Sequence, residues 1–77
     1  MYVRNISEIR HVVTGEVTLQ LGKTYEVLEI VENPGTHNGN QLAAGEWYKL
    51  VETGEQVLHH SRYFEVVNSF NTFKFLV

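Results

Sequence analysis

Cysteine is absent from this chain, which excludes disulfides and thiolate metal sites. The fold must therefore stand on its apolar core, and the absence fits a reducing compartment, so the cytoplasm is the expected location. Aspartate is absent too: all nine carboxylates are glutamates (Glu8, Glu16, Glu26, Glu29, Glu32, Glu46, Glu52, Glu55 and Glu65). Cations are few. The six of them, Arg4, Arg10, Lys23, Lys49, Arg62 and Lys74, are scattered, so no basic stripe forms along the sequence. The net charge of −3 disfavours a protein that tracks phosphates, because non-specific nucleic-acid binding depends on Lys and Arg releasing counterions. No apolar run approaches the roughly 20 residues that span a bilayer, so no membrane is expected as a partner. Arg4, Glu8 and Arg10 interrupt the N-terminal segment, so no signal peptide is expected there.

What the chain does have is hydrophobic content of 43% and nine aromatics in 77 residues, enough for one folded domain spanning 1–77 but near the lower size limit for a single core. The dominant period is two. Val17, Leu19 and Leu21 alternate with Thr18 and Gln20, as a half-buried strand requires. Gly22-Lys23 breaks the run, and Tyr25 and Val27 resume it. Leu28, Ile30 and Val31 cannot all share the side of Tyr25 and Val27, so a bulge, or a strand bent enough to bury both faces, is expected there. Asn33 to Gly45 reads as a long exposed loop, with Pro34-Gly35 and Asn38-Gly39 as turn signals. Trp47 to Val51 reads as a strand, Glu52 to Glu55 as a tight connection, and Gln56 to His60 as the partner strand. Ser61-Arg62 suits a single 3₁₀ turn before a strand over Tyr63 to Val67. Tyr2 to Ile6 suits a first strand, and one or two helical turns are conceivable over residues 5–11 after an Asn5 or Ser7 cap.

The core expected from this pattern is Leu19, Leu21, Tyr25, Val27, Ile30, Leu50, Val57 and Phe64. Residues 69–77 place Phe73, Phe75 and Val77 at alternate positions, as in an apolar terminal strand. Leaving Phe70, Phe73 and Phe75 in water would cost roughly 1.5–3 kcal/mol each. They either complete the sheet of their own chain or form the contact of a homodimer, the state expected here.

The run from Val17 to Glu29, with its Leu19-x-x-Gly22-Lys23 turn, resembles the strand and diverging turn of SH3-like barrels. Trp47-Tyr48 stands where such domains start their next strand, and Ser61 to Glu65 is similar to their short 3₁₀ turn and final strand. The resemblance implies an all-β, small SH3-like barrel of five to six short antiparallel strands. More closely, Leu19 to Val27 and the Tyr63-Phe64-Glu65 closing resemble small proteins of phages and prophages of Gram-positive bacteria. The departures count as well. There is no Ala-Leu-Tyr-Asp-Tyr-like stretch, and His60-Ser61 stands where signalling SH3 domains carry a proline. Trp47 and Tyr63 alone make no polyproline groove.

Catalytic chemistry has little to stand on, and no enzyme is expected. Ser7, Ser61 and Ser69 lack a nucleophile-elbow context. Gly22-Lys23-Thr24 lacks the upstream glycine of a phosphate loop and leads into a strand. His59 and His60 are adjacent in a strand and point to opposite faces, so they do not chelate one ion; His11 and His37 lie far off, and no metal or cofactor is expected. The four histidines are expected exposed or half-buried.

Surface chemistry remains. Glu26, Glu29 and Glu32 fall on one continuous strand, and with Trp47, Tyr48 and Tyr63 they are the expected partner-binding residues. The resemblance implies a non-enzymatic protein-binding module that binds, and inhibits or redirects, a host protein, with replication and transcription proteins as candidates because their nucleic-acid channels are basic. The alternatives are an SH3-like nucleic-acid-binding accessory protein, using Arg4, Arg10, Lys49 and Arg62, and a structural phage component.

Overall fold

The computed structural model describes residues 1–7, 19–37 and 39–67. Its main element is a five-stranded antiparallel sheet, accompanied by a two-stranded ribbon. In chain order the strands are β1 (Tyr2–Asn5), β2 (Thr24–Glu32), β3 (Thr36–His37), β4 (Asn40–Gln41), β5 (Glu46–Leu50), β6 (His59–His60) and β7 (Phe64–Val67). A 3₁₀ turn, Ser61–Tyr63, joins β6 to β7. The sheet order is β6-β5-β2-β1-β7, and β3 pairs with β4 alone. The all-β architecture is the expected one, and the last described strand pairs with the first.

Register follows from the hydrophobic pattern. Val3 lies opposite Tyr25 on one side and Val66 on the other, and Asn5 lies opposite Phe64. Directly paired residues share a face, so the inner face collects Val3, Tyr25, Leu50, Tyr48 and Phe64, which with Leu19 form the buried core. Tyr48 and Phe64 meet edge to face with ring centroids 5.7 Å apart. The bulge is where the alternation slips: Val27 pairs with Leu50 but Glu29 pairs with Lys49, so Leu28 is the extra residue.

The turn before β2 is organised by polar groups. The Tyr25 phenol reaches back to accept the Gln20 N–H at 2.9 Å. Asn5, fully buried, donates its N–H to the Lys23 carbonyl and accepts from the Gly22 N–H. This geometry corrects two core assignments. Leu21 sits in the turn itself and is 64% exposed, because Gly22 with φ of 84° swings the chain away from the core. Ile30 is 40% exposed although it shares the Tyr48 face. It lies where β2 has run past β1, which pairs only with Thr24 to Glu26. Val27 is half-buried against the core, while Leu19, Tyr25, Leu50, Val57 and Phe64 are buried as expected.

Other differences are local. The segment expected as a plain loop carries the β3–β4 ribbon, pinned where Leu42 N–H meets the Gly35 carbonyl at 2.7 Å. Strand pairing before the 3₁₀ turn covers His59–His60 and a bridge at Leu58, shorter than the five residues expected. After Leu50 the chain reverses through Thr53 and Gly54, whose N–H groups both reach the Leu50 carbonyl, and Gly54 supplies a φ of 82°. Residues 5–7 are not helical; the remainder of the expected helical segment lies outside the described residues, as do residues 69–77. No helix among the described residues is long and apolar enough to cross a membrane.

Candidate functional site

The two tryptophan-end residues expected on the surface are interior ones. Trp47 and Tyr48 are buried, so both leave the partner-binding set. Neighbouring strand residues face opposite ways, and here both faces are covered. Tyr48 faces inward with Phe64, where burial, reinforced by the nearby Glu46 carboxylate, raises its phenol above its ordinary range. Trp47 faces outward but lies beneath the loop before β5: its indole N–H donates to the Ala43 carbonyl at 2.8 Å, and its ring meets His60 at 4.9 Å. Tyr63 is half-buried and packs against the core. Phe70, Phe73 and Phe75 lie outside the described residues.

The histidines of β6 are also interior, contrary to expectation. His60 pairs with Trp47 and His59 with Tyr48, so the two rings do face opposite sides. The Nδ1 of His60 accepts the Arg62 N–H at 3.0 Å, which fixes the neutral tautomer whose Nε2–H donates to the Ala44 carbonyl at 2.9 Å. Gly45 lies against this ring: a Cβ there would come within 3.0 Å of His60 Nε2, and its φ of 116° already demands glycine. His59 is 2% exposed, with Nε2 at 2.9 Å from Thr53 Oγ1 and Nδ1 without a partner. Removal from water pushes its pKa down to about 4. Among the described residues no three metal-ligating side chains come together. These histidines act as structural pins, and only a buried polar position in strand register could have announced them.

What the fold presents to solvent is carboxylate. Glu26, Glu29 and Glu32 are all exposed on β2, but the bulge and the alternation give them different surroundings. Glu29 is paired with Lys49 at 3.3 Å. Glu32 faces Glu46 directly across the β2–β5 pair, at the end closed by Asn33 and Gly45. Glu26 lies between Tyr2 on β1 and Val51 beyond β5, and forms no ion pair among the described residues. The cations are otherwise engaged. Arg4 is held by Glu65, and Lys23 by Glu52 at 3.0 Å, a hydrogen bond that raises the lysine's pKa. Arg62 lies over the Tyr63 ring. The cationic patch that a nucleic-acid reading needs is thus neutralised at Arg4 and Lys49, and Arg10 lies outside the described residues. Comparison with protein-family models, curated proteins and solved structures returned no match to this chain.

Proposed function

We propose that this chain is a non-enzymatic protein-binding module, of the kind phages use to bind and inhibit or redirect a host protein in the cytoplasm, and that its acidic sheet surface makes the contact. One observation carries the reading. Arg4, Lys23 and Lys49 are each held by a carboxylate of the same chain, whereas Glu26, Glu32, Glu46 and Glu55 have no cation among the described residues. A surface arranged this way repels phosphates and attracts a basic patch on a protein, speeding and orienting the encounter. A barrel-like closure of the sheet, and a homodimer through Phe70, Phe73 and Phe75, belong to the same proposal.

The test has two arms. Immobilised protein is exposed to lysate of a Gram-positive bacterium, and retained proteins are identified by mass spectrometry. A variant with Glu26, Glu29 and Glu32 all changed to Gln serves as the control. The reading expects a retained protein that moderate salt releases and that the variant fails to hold. A mobility-shift assay on DNA and RNA at low salt is expected to show no complex. A nucleic-acid complex that dissolves as salt rises would replace this reading with the accessory-protein one.

A further inference from the structure

The outer face of the sheet carries an apolar row with a single bare charge in it. Tyr2 lies directly opposite Glu26 across the β1–β2 pair, so the two side chains stand on one face. On the other side of β2, the Val51 N–H donates to the Glu26 carbonyl at 3.0 Å, which places Val51 beside the same residue. Leu28, the extra residue of the bulge, follows two positions along the strand. All three apolar neighbours are open to solvent: Tyr2 at 45%, Leu28 at 46% and Val51 at 52%. On the adjoining strands the charges are already satisfied, Lys49 with Glu29 on β5 and Glu65 with Arg4 between β7 and β1. Among the described residues Glu26 has no such partner. Exposed apolar side chains stand across both strand pairings from it and two positions further along β2.

We infer that Tyr2, Glu26, Leu28 and Val51 form a seat for an arginine side chain presented by a partner protein between apolar neighbours. This rests on the protein-binding reading above and narrows it to one place and one chemistry. Charge complementarity selects a cation. The aromatic neighbour and the flat apolar rim select arginine over lysine: a guanidinium stacks on a tyrosine ring, bonds a carboxylate with two parallel N–H groups, and sheds water more easily than an ammonium. Apolar residues flanking that arginine would cover Leu28 and Val51. The tyrosine of the seat and the arginine it would receive are the residue types that interface hot spots favour, and the aliphatic rim would serve to exclude water from their contact.

The experiment is an amide-resolved NMR titration of the full chain with a synthetic peptide, acetyl-Gly-Leu-Arg-Leu-Gly-amide, alongside versions carrying lysine or citrulline for arginine. The expected result is saturable shifts centred on Tyr2, Glu26, Leu28 and Val51, tightest with arginine and lost with citrulline. Glu26→Gln, which keeps shape and removes charge, should weaken binding about tenfold or more. Glu55→Gln, in the β5–β6 turn, should leave it unchanged. Well-dispersed spectra of both variants establish that they are folded. Shifts centred instead on Glu32 and Glu46, an unaltered affinity in Glu26→Gln, or no shift at millimolar peptide would each overturn the assignment. The outcome is separable from the broader reading. A host protein retained equally by Glu26→Gln removes this seat and leaves the binding module standing.

Discussion

His59 is closed in by Tyr48 on the facing strand and by Phe64, with ring centroids 6.1 Å apart, and its one polar partner is Thr53. A proton added there brings a charge into an apolar site with no carboxylate to meet it. Because the folded pKa lies near 4 and the unfolded value near 6.5, the folded state binds fewer protons in that window. The stability from a neutral His59 is therefore fully present above about pH 6.5 and is lost as pH falls toward 4. The loss should be on the order of 2–3 kcal/mol. Urea denaturation at pH 7, 6, 5 and 4 should show it, and His59→Leu should flatten the dependence between pH 6.5 and 5, where carboxylates still stay ionised. An unchanged slope in that variant would refute the assignment.

Two leucines set the contrast between an interior and a turn position. Leu50 is fully buried at the centre of the core and directly faces Val27. Leu50→Ala should cost about 2–5 kcal/mol through the cavity it leaves, a large share of the stability of so small a domain. Leu21→Ala should stay within about 0.5 kcal/mol, since its side chain is largely in water. Thermal melts of the two variants decide it, and similar melting points would mean the turn at Gly22 is wrongly understood.

Among the elements, the β3–β4 ribbon is the dispensable one. Its four strand residues are exposed or half-buried, and His37 Nε2 meets the Gln56 carbonyl of the β5–β6 connection at 3.1 Å. The ends are already adjacent through the Gly35–Leu42 hydrogen bond. Replacing residues 36–41 with a two-residue Asn-Gly turn should therefore keep the sheet and lower the melting temperature by only a few degrees, because closure entropy changes slowly with loop length. Circular dichroism of the shortened chain would contradict this if the β signal vanished. Element legibility followed local physics. The bulge could be read because Val27, Leu28 and Ile30 break the alternation within four residues, and the 3₁₀ turn because Ser61-Arg62 interrupts two strands. The ribbon could not, since Thr36, His37, Asn40 and Gln41 carry neither apolar alternation nor β-branched density.

At the scale of the whole molecule, the acidic surface was legible from glutamates on β2, but which of them remain uncompensated was not. On β2 that depends on Lys49 arriving from β5 to hold Glu29, while Arg4 and Lys23 are taken up by Glu65 and Glu52 elsewhere on the surface. The burial of Trp47 and His60 had the same non-local origin, because the loop carrying Ala43, Ala44 and Gly45 folds over them. The oligomeric state is the prediction that belongs here. Light scattering at tens of micromolar should give a dimer for the 77-residue chain and a monomer for a version ending at Asn68. A monomeric full chain ends the dimer proposal, and a truncated chain that stays dimeric removes Phe70, Phe73 and Phe75 from the contact.

The pairing of β1 with β7 also fixes when the molecule can be finished during its synthesis. Tyr2 meets Val67 and Arg4 meets Glu65, so nearly the whole described chain must be made before the first strand gains its second neighbour. At roughly 5–20 residues per second, translation takes several seconds to reach that point. Meanwhile β2 and β5 can zip with β6 from nearby sequence, while Val3 and Asn5 remain without the strand that shields them. The nascent protein therefore passes through an interval in which its first strand lacks this neighbour, and the long separation adds closure entropy to the cost of the pairing.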